Sequence, residues 1–170
     1  MSKQKVLVPL DGSEFSRQIL PYVRRLFNPQ ENALFLLRVA QPQQHAMGVL
    51  PKTFATVSSV MFQAIAPMTS SYQSTTEFAS SSYDGSLDEL RKEVQRLEHD
   101  GYEVSLAVRF GDPAHEIIDF AQEIDVDLVA MASHSRTGVG NLVLGSVPEN
   151  VLHHLSIPVL LLRPTWDVAF

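Results

Sequence analysis

The strongest constraint on this chain is the way its apolar runs alternate with helical patterns. Lys5–Leu10, Ala33–Val39, Glu103–Arg109, Val126–Met131 and Pro158–Leu162 read as strands. Most are near-continuous apolar runs; Glu103–Arg109 alternates. Continuous runs are expected where both faces of a sheet are covered, as in parallel sheets. A helical pattern separates each strand from the next. The expectation is an α/β fold: an open five-stranded parallel sheet with helices on both faces, Rossmann-like, with right-handed crossovers. At 170 residues the chain reads as a single domain spanning 1–170.

The helical segments carry their own punctuation. Ser13–Phe27 has Ser13 as N-cap and Ile19, Leu20, Val23, Leu26 and Phe27 on one apolar face, with Pro21 inside as a kink or local break. Ser86–His99 opens on a capping-box pair, Ser86 and Glu89, repeats Leu87, Leu90, Val94 and Leu97 at helical spacing, and is followed by Gly101. Asp112 and Pro113 supply an N-cap and a first-turn proline for a helix reaching Glu123. Ser146–Leu155 is the last helix, with a capping box between Ser146 and Glu149. Residues 41–86 do not fit the alternation. Thr53 to Thr76 contains no charge, Phe54, Val57, Met61 and Ile65 have near-helical spacing, and seven serines lie from Ser70 to Ser86. That region reads as an insertion and flexible connector between the second strand and second helix.

The most informative stretch runs from Ala132 to Ser146, ASHSRTGVGNLVLGS. It joins a buried strand to a helix start with small and polar residues. Such a loop brings backbone amides close to a phosphate, and the helix N-terminus adds favourable partial charge. Its spacing resembles the nucleotide-binding signature of the universal stress protein family: Gly, two residues, Gly, nine residues, Gly, then Ser or Thr. The four positions here are Ala132, Ser135, Gly145 and Ser146, so small residues replace two of the three glycines. Val6-Leu7-Val8-Pro9-Leu10-Asp11-Gly12-Ser13, Leu36-Leu37-Arg38-Val39, Gly111-Asp112-Pro113 and Ile157-Pro158-Val159-Leu160-Leu161 resemble the family in the same order.

The resemblance implies an adenine-nucleotide alpha-hydrolase-like fold, with the cleft between the first strand and Val126–Met131. It implies ATP or AMP as the ligand, with any Mg arriving on its phosphates. Nucleotide-binding positions would be Pro9, Leu10, Asp11, Val39, Met131, Ala132, His134, Ser135, Arg136, Gly145, Ser146 and Val147. Several have a second reading. Ser146 caps its own helix or holds a phosphate through its amide, and the two roles are compatible. Asp11 contacts the adenosine part or forms a side-chain turn with Gly12. Arg136 meets a phosphate or stays solvated. His134 donates to a phosphate or holds the loop backbone. Pro9 and Val39 are walls for adenine or core residues.

Composition narrows the remaining classes. With no cysteine, disulfides, thiolate catalysis and Cys-based metal sites are excluded. A net charge of −6 argues against a general nucleic-acid binder but not against one nucleotide. No metal spacing, catalytic constellation, membrane span or signal-peptide core is found, and a cytoplasmic location is expected. Three functions follow: a nucleotide-binding stress-response regulator, a ligand-free interaction scaffold of the same fold, or a slow ATP hydrolase. The resemblance also implies a homodimer through Pro158–Leu162.

Overall fold

The computed structural model describes residues 2–40, 55–58, 84–133 and 144–164. In chain order the elements are β1 (Gln4–Pro9), α1 (Glu14–Arg17), α2 (Leu20–Leu26), β2 (Asn32–Ala40), β3 (Ala55–Ser58), α3 (Asp84–His99), β4 (Glu103–Phe110), α4 (Pro113–Glu123), β5 (Leu128–Ala132), α5 (Ser146–His154) and β6 (Val159–Leu162). The six strands form one sheet in the order β3-β4-β2-β1-β5-β6. The five expected strands pair in parallel, and β3 adds an antiparallel edge strand on β4.

Alternation along each strand divides the core into two layers. Val6, Val8 and Leu10 of the first strand region join Leu34, Leu36 and Ala130 on one face, under Ile19, Leu20 and Val23 and under Leu90, Val94 and Leu97 of α3. Leu7, Leu37, Ala107, Val129 and Met131 lie on the other face, under Ile117, Ile118, Phe120 and Ala121 of α4 and Val151 of α5. Val6, Leu7 and Val8 are each 1% exposed or less, so β1 is enclosed on both sides. This is why its sequence is apolar without alternation.

Three local expectations are corrected. The helix expected over Ser13–Phe27 is two helices. Ser13 caps the first, its Oγ accepting from the Ser16 amide at 3.1 Å. Pro21 sits in the first turn of α2, where a missing N–H costs nothing, so it starts a helix instead of kinking one. α3 begins at Asp84, so its backbone starts two residues before Ser86, the expected N-cap. Within the expected connector 41–86, Ala55–Ser58 is a strand and not part of a helix. The exposed edge of β4 offers it a row of backbone partners, in a register from Ala55 beside Val108 to Ser58 beside Ser105. Phe54, Met61 and Ile65 lie outside the described residues.

The turn from α3 into β4 is closed by backbone bonds. The Tyr102 amide donates to Leu97 O at 3.0 Å and the Gly101 amide to Glu98 O at 2.9 Å, the Schellman pattern. The Tyr102 ring joins the first core layer, and its hydroxyl donates to the carbonyls of Phe27 (2.6 Å) and Arg24 (3.3 Å). One side chain thereby ties this turn to the end of α2. Burial raises the Tyr102 pKa above its ordinary value, the negative charge of Asp100 adds to the rise, and the Arg24 charge opposes it. A raised pKa in the folded state means that the unfolded chain releases its proton first. The stabilisation is therefore complete below about pH 10 and is lost as pH climbs through the folded value. Tyr102→Phe should cost about 1 kcal/mol at neutral pH, from the lost hydrogen bonds. In urea titrations, the gap between native protein and variant should narrow above about pH 10. A gap that stays constant to pH 11.5 would refute the assignment.

Candidate functional site

All parallel strands end at one edge of the sheet, and the chain reverses direction there beside β1. β1 pairs with β2 on one side and with β5 on the other. The connection leaving β1 packs on the first core layer, whereas α5, which follows β5, packs on the second. Between the two departures no helix among the described residues closes the strand ends, and an open α/β sheet places its ligand at this point. The expected location between the first strand and Val126–Met131 therefore corresponds to the observed β1–β5 junction.

On the β1 side, Pro9 and Leu10 are buried, and the Leu10 amide donates to Leu37 O at 2.8 Å. Asp11 is exposed just beyond the strand. Its Oδ1 accepts from the Ser13 amide at 2.8 Å, so the side-chain turn across Gly12 is formed. Gly12 has φ of 84°, a left-handed value that favours glycine, and the guanidinium of Arg38 lies against it. A Cβ on Gly12 would stand 3.1 Å from Arg38 Cζ and 3.2 and 3.3 Å from its terminal nitrogens. Val39, half-buried beside the second layer, stands on the same strand end.

On the β5 side, Met131 is 4% exposed and belongs to the second layer. Ala132 is half-buried, and Ser133, 5% exposed, donates its amide to Leu162 O at 2.8 Å. The chain re-enters at Gly145, with φ of 84° and ψ of 150°, and Gly145 is the N-cap of α5. Ser146 is consequently the first helical residue, and the expected capping box with Glu149 does not form. The chain turns into the helix on a glycine, because a left-handed residue is needed there and a Cβ would strain it. The Ser146 hydroxyl is then one residue too far along to cap. Among the described residues no side chain caps α5, so the amides of Ser146 and Val147 have no side-chain cap there, and Pro148 has no N–H to offer. Glu149 N bonds Gly145 O at 3.1 Å, and Asn150 Nδ2 bonds Ser146 O at 2.9 Å.

The fold thus brings nine of the expected positions to one edge: Pro9, Leu10, Asp11, Val39, Met131, Ala132, Gly145, Ser146 and Val147. His134, Ser135 and Arg136 lie outside the described residues. The side chains of Leu10 and Met131 are consumed by the core, which leaves only their backbones for any ligand. Two residues at the edge were missed. Ser133 carries no sequence signal beyond following a strand. Arg38 did carry one, as the first charge in an otherwise apolar strand. Among the described residues no group of three or more His, Cys, Asp or Glu could hold a metal ion, and no helix is long and apolar enough to cross a membrane.

Comparison with known proteins agrees with this architecture. A universal stress protein of Synechocystis sp. is 24% identical over 163 residues, covering 96% of this chain and 99% of the relative. A solved universal stress protein in complex with cAMP has a TM-score of 0.58 at 18% identity, over 97% of this chain and 100% of its own. A universal stress protein family protein from Arabidopsis thaliana with AMP bound has a TM-score of 0.58 at 16% identity, over 96% and 94% of the two chains. These likenesses show a shared fold. The model of the universal stress protein family matches residues 3–163, nearly the whole chain, and the protein belongs to that family.

Proposed function

We propose that this protein binds an adenine nucleotide, ATP or AMP, at the β1–β5 junction and acts as a nucleotide-dependent regulatory module. The observation that carries the reading is the α5 N-terminus. It enters on a left-handed glycine, has no side-chain cap among the described residues, and opens where strand order reverses. Amides so placed, with the helix dipole behind them, suit a phosphate. The neighbours solved with cAMP and with AMP support an adenylate as the ligand. In this reading Ser146 and Val147 hold the phosphate, Asp11 meets the ribose, and Val39 and Pro9 flank the base. Any Mg would be held by the nucleotide phosphates.

A second reading keeps the fold as an interaction scaffold without ligand. The replacement of two signature glycines by Ala132 and Ser135 favours it. Isothermal titration with ATP, ADP and AMP separates the two. Binding in the micromolar to millimolar range is expected, and no heat at millimolar nucleotide would leave only the scaffold. Asp11→Asn keeps an acceptor for the Ser13 amide while removing the charge. It should weaken nucleotide binding about tenfold, the usual cost of one charge-assisted hydrogen bond, with little change in melting temperature.

Homodimerisation through β6 belongs to the same proposal. Among the described residues β6 has a strand neighbour on one side only, and Val159, Leu160, Leu161 and Leu162 are all half-buried. An apolar edge strand is an association surface unless it is covered. Light scattering at micromolar concentration should give the mass of two chains. A monomer mass would remove the dimer from the proposal.

A further inference from the structure

Three arginines, Arg24, Arg38 and Arg109, carry a buried Nε. Two of them have carboxylates close by. Arg24 lies 3.8 Å from Glu93 and 2.9 Å from Asp100, and Arg109 is paired with Glu116 and Glu123. Arg38 has no carboxylate and no hydrogen bond among the described residues. It is half-buried, at the C-terminal end of β2, on the face that also carries Leu34 and Leu36. Its guanidinium is pressed on Gly12, the residue that follows Asp11. A partly desolvated cation with no counter-ion among the described residues is costly to keep, and it stands where the ligand's ribose would lie.

We propose that Arg38 is a specificity-determining residue that recognises a phosphate carried on the ribose, making nucleotides charged at the 2′ or 3′ oxygen preferred ligands. The inference rests on the nucleotide-binding reading above, which puts the ribose at Asp11. A carboxylate alone at that place favours bare hydroxyls and repels a phosphate. An arginine beside it reverses the preference, as arginines do at the 2′-phosphate of dinucleotide cofactors in related sheets. Its planar fork also matches two phosphate oxygens at once, and its buried Nε is a donor waiting for an acceptor. The 5′-phosphate lies across the junction at the α5 amides, so the two anionic groups of such a ligand would be held from opposite sides of the cleft.

The experiment is a titration of the full chain and of Arg38→Met with AMP, adenosine 2′,5′-bisphosphate and adenosine 3′,5′-bisphosphate. The native protein should bind at least one bisphosphate about tenfold tighter than AMP, the worth of one charge-assisted contact. Arg38→Met should erase that gain while leaving AMP affinity within about twofold, and Arg38→Lys should restore part of it. The arms with 2′- and 3′-phosphate tell which oxygen is read. Removing an unpaired buried donor should also leave the melting temperature of the unliganded variant unchanged or raised. Equal affinity of the native protein for AMP and both bisphosphates overturns the proposal, as does a gain that survives Arg38→Met. A native protein that binds AMP without the gain sinks this inference alone. One that binds no adenylate sinks the nucleotide reading with it.

Discussion

The structure depends on enclosing β1 from both faces. A parallel strand with its neighbours on either side must send its crossover connections to one face or the other, and here two go to each. The helices before β4 cover the first layer and those after it the second. That division lets the sheet grow outward from β1 in both directions, to β2 and to β5. It also forces the two connections beside β1 to depart to opposite faces. The switch point follows directly from burying Val6, Leu7 and Val8 on both sides, with no special residues needed to make it. Chemistry is then a matter of which groups the departing loops leave at the strand ends.

Much of this was legible in the sequence because burial on both faces has a strong signature. Strand ends were placed within about two residues at β1, β2, β4, β5 and β6, where apolar runs stop at Pro9, Ala40, Phe110, Ala132 and Leu162. Asp112 as the cap of α4 was also legible, its Oδ1 accepting from the His115 amide at 3.1 Å. What failed depended on distant partners. Nothing within Ala55–Ser58 demands a strand. The demand comes from the open side of β4, some fifty residues away in the chain. The division at Pro21 was readable as a break, but whether proline ends one helix or opens the next is decided by how Ile19 and Leu20 enter the core.

The candidate site was legible to a different depth. Turn chemistry located Asp11 and Gly145, since an aspartate before glycine and a glycine before a helix each have a local backbone reason. The role of Ser146 was misread because two local rules compete: a serine before Pro148 and Glu149 makes a good N-cap, and a glycine before it makes a good left-handed entry. The backbone needed the second. Leu10 and Met131 show the opposite error. They stand at the expected strand ends, yet their side chains are spent on packing, so only their backbones remain at the edge.

Arg38 and Arg109 show why a charge in a strand cannot be interpreted before its surroundings are known. They sit at nearly the same level, since Arg38 pairs in register with Val108 and Val39 with Arg109. Alternation sends them to opposite faces. Arg109 meets α4, where Glu116 and Glu123 supply carboxylates and the Phe120 ring lies 4.6 Å from the guanidinium. It is 6% exposed, and its charge is answered within the fold, joining strand to helix. Arg38 meets the backbone of Gly12 just beyond the C-terminal end of β1. A folding requirement explains the first arginine completely. For the second, folding alone would favour an apolar residue, because an unanswered buried donor costs about 1–3 kcal/mol. The same reasoning applies to α5, where a serine cap would satisfy an amide and the chain uses glycine instead. Among the described residues, a buried guanidinium nitrogen without an acceptor and a helix start without a side-chain cap, both at one edge of the sheet, are what a site for an acceptor-rich ligand looks like before the ligand arrives.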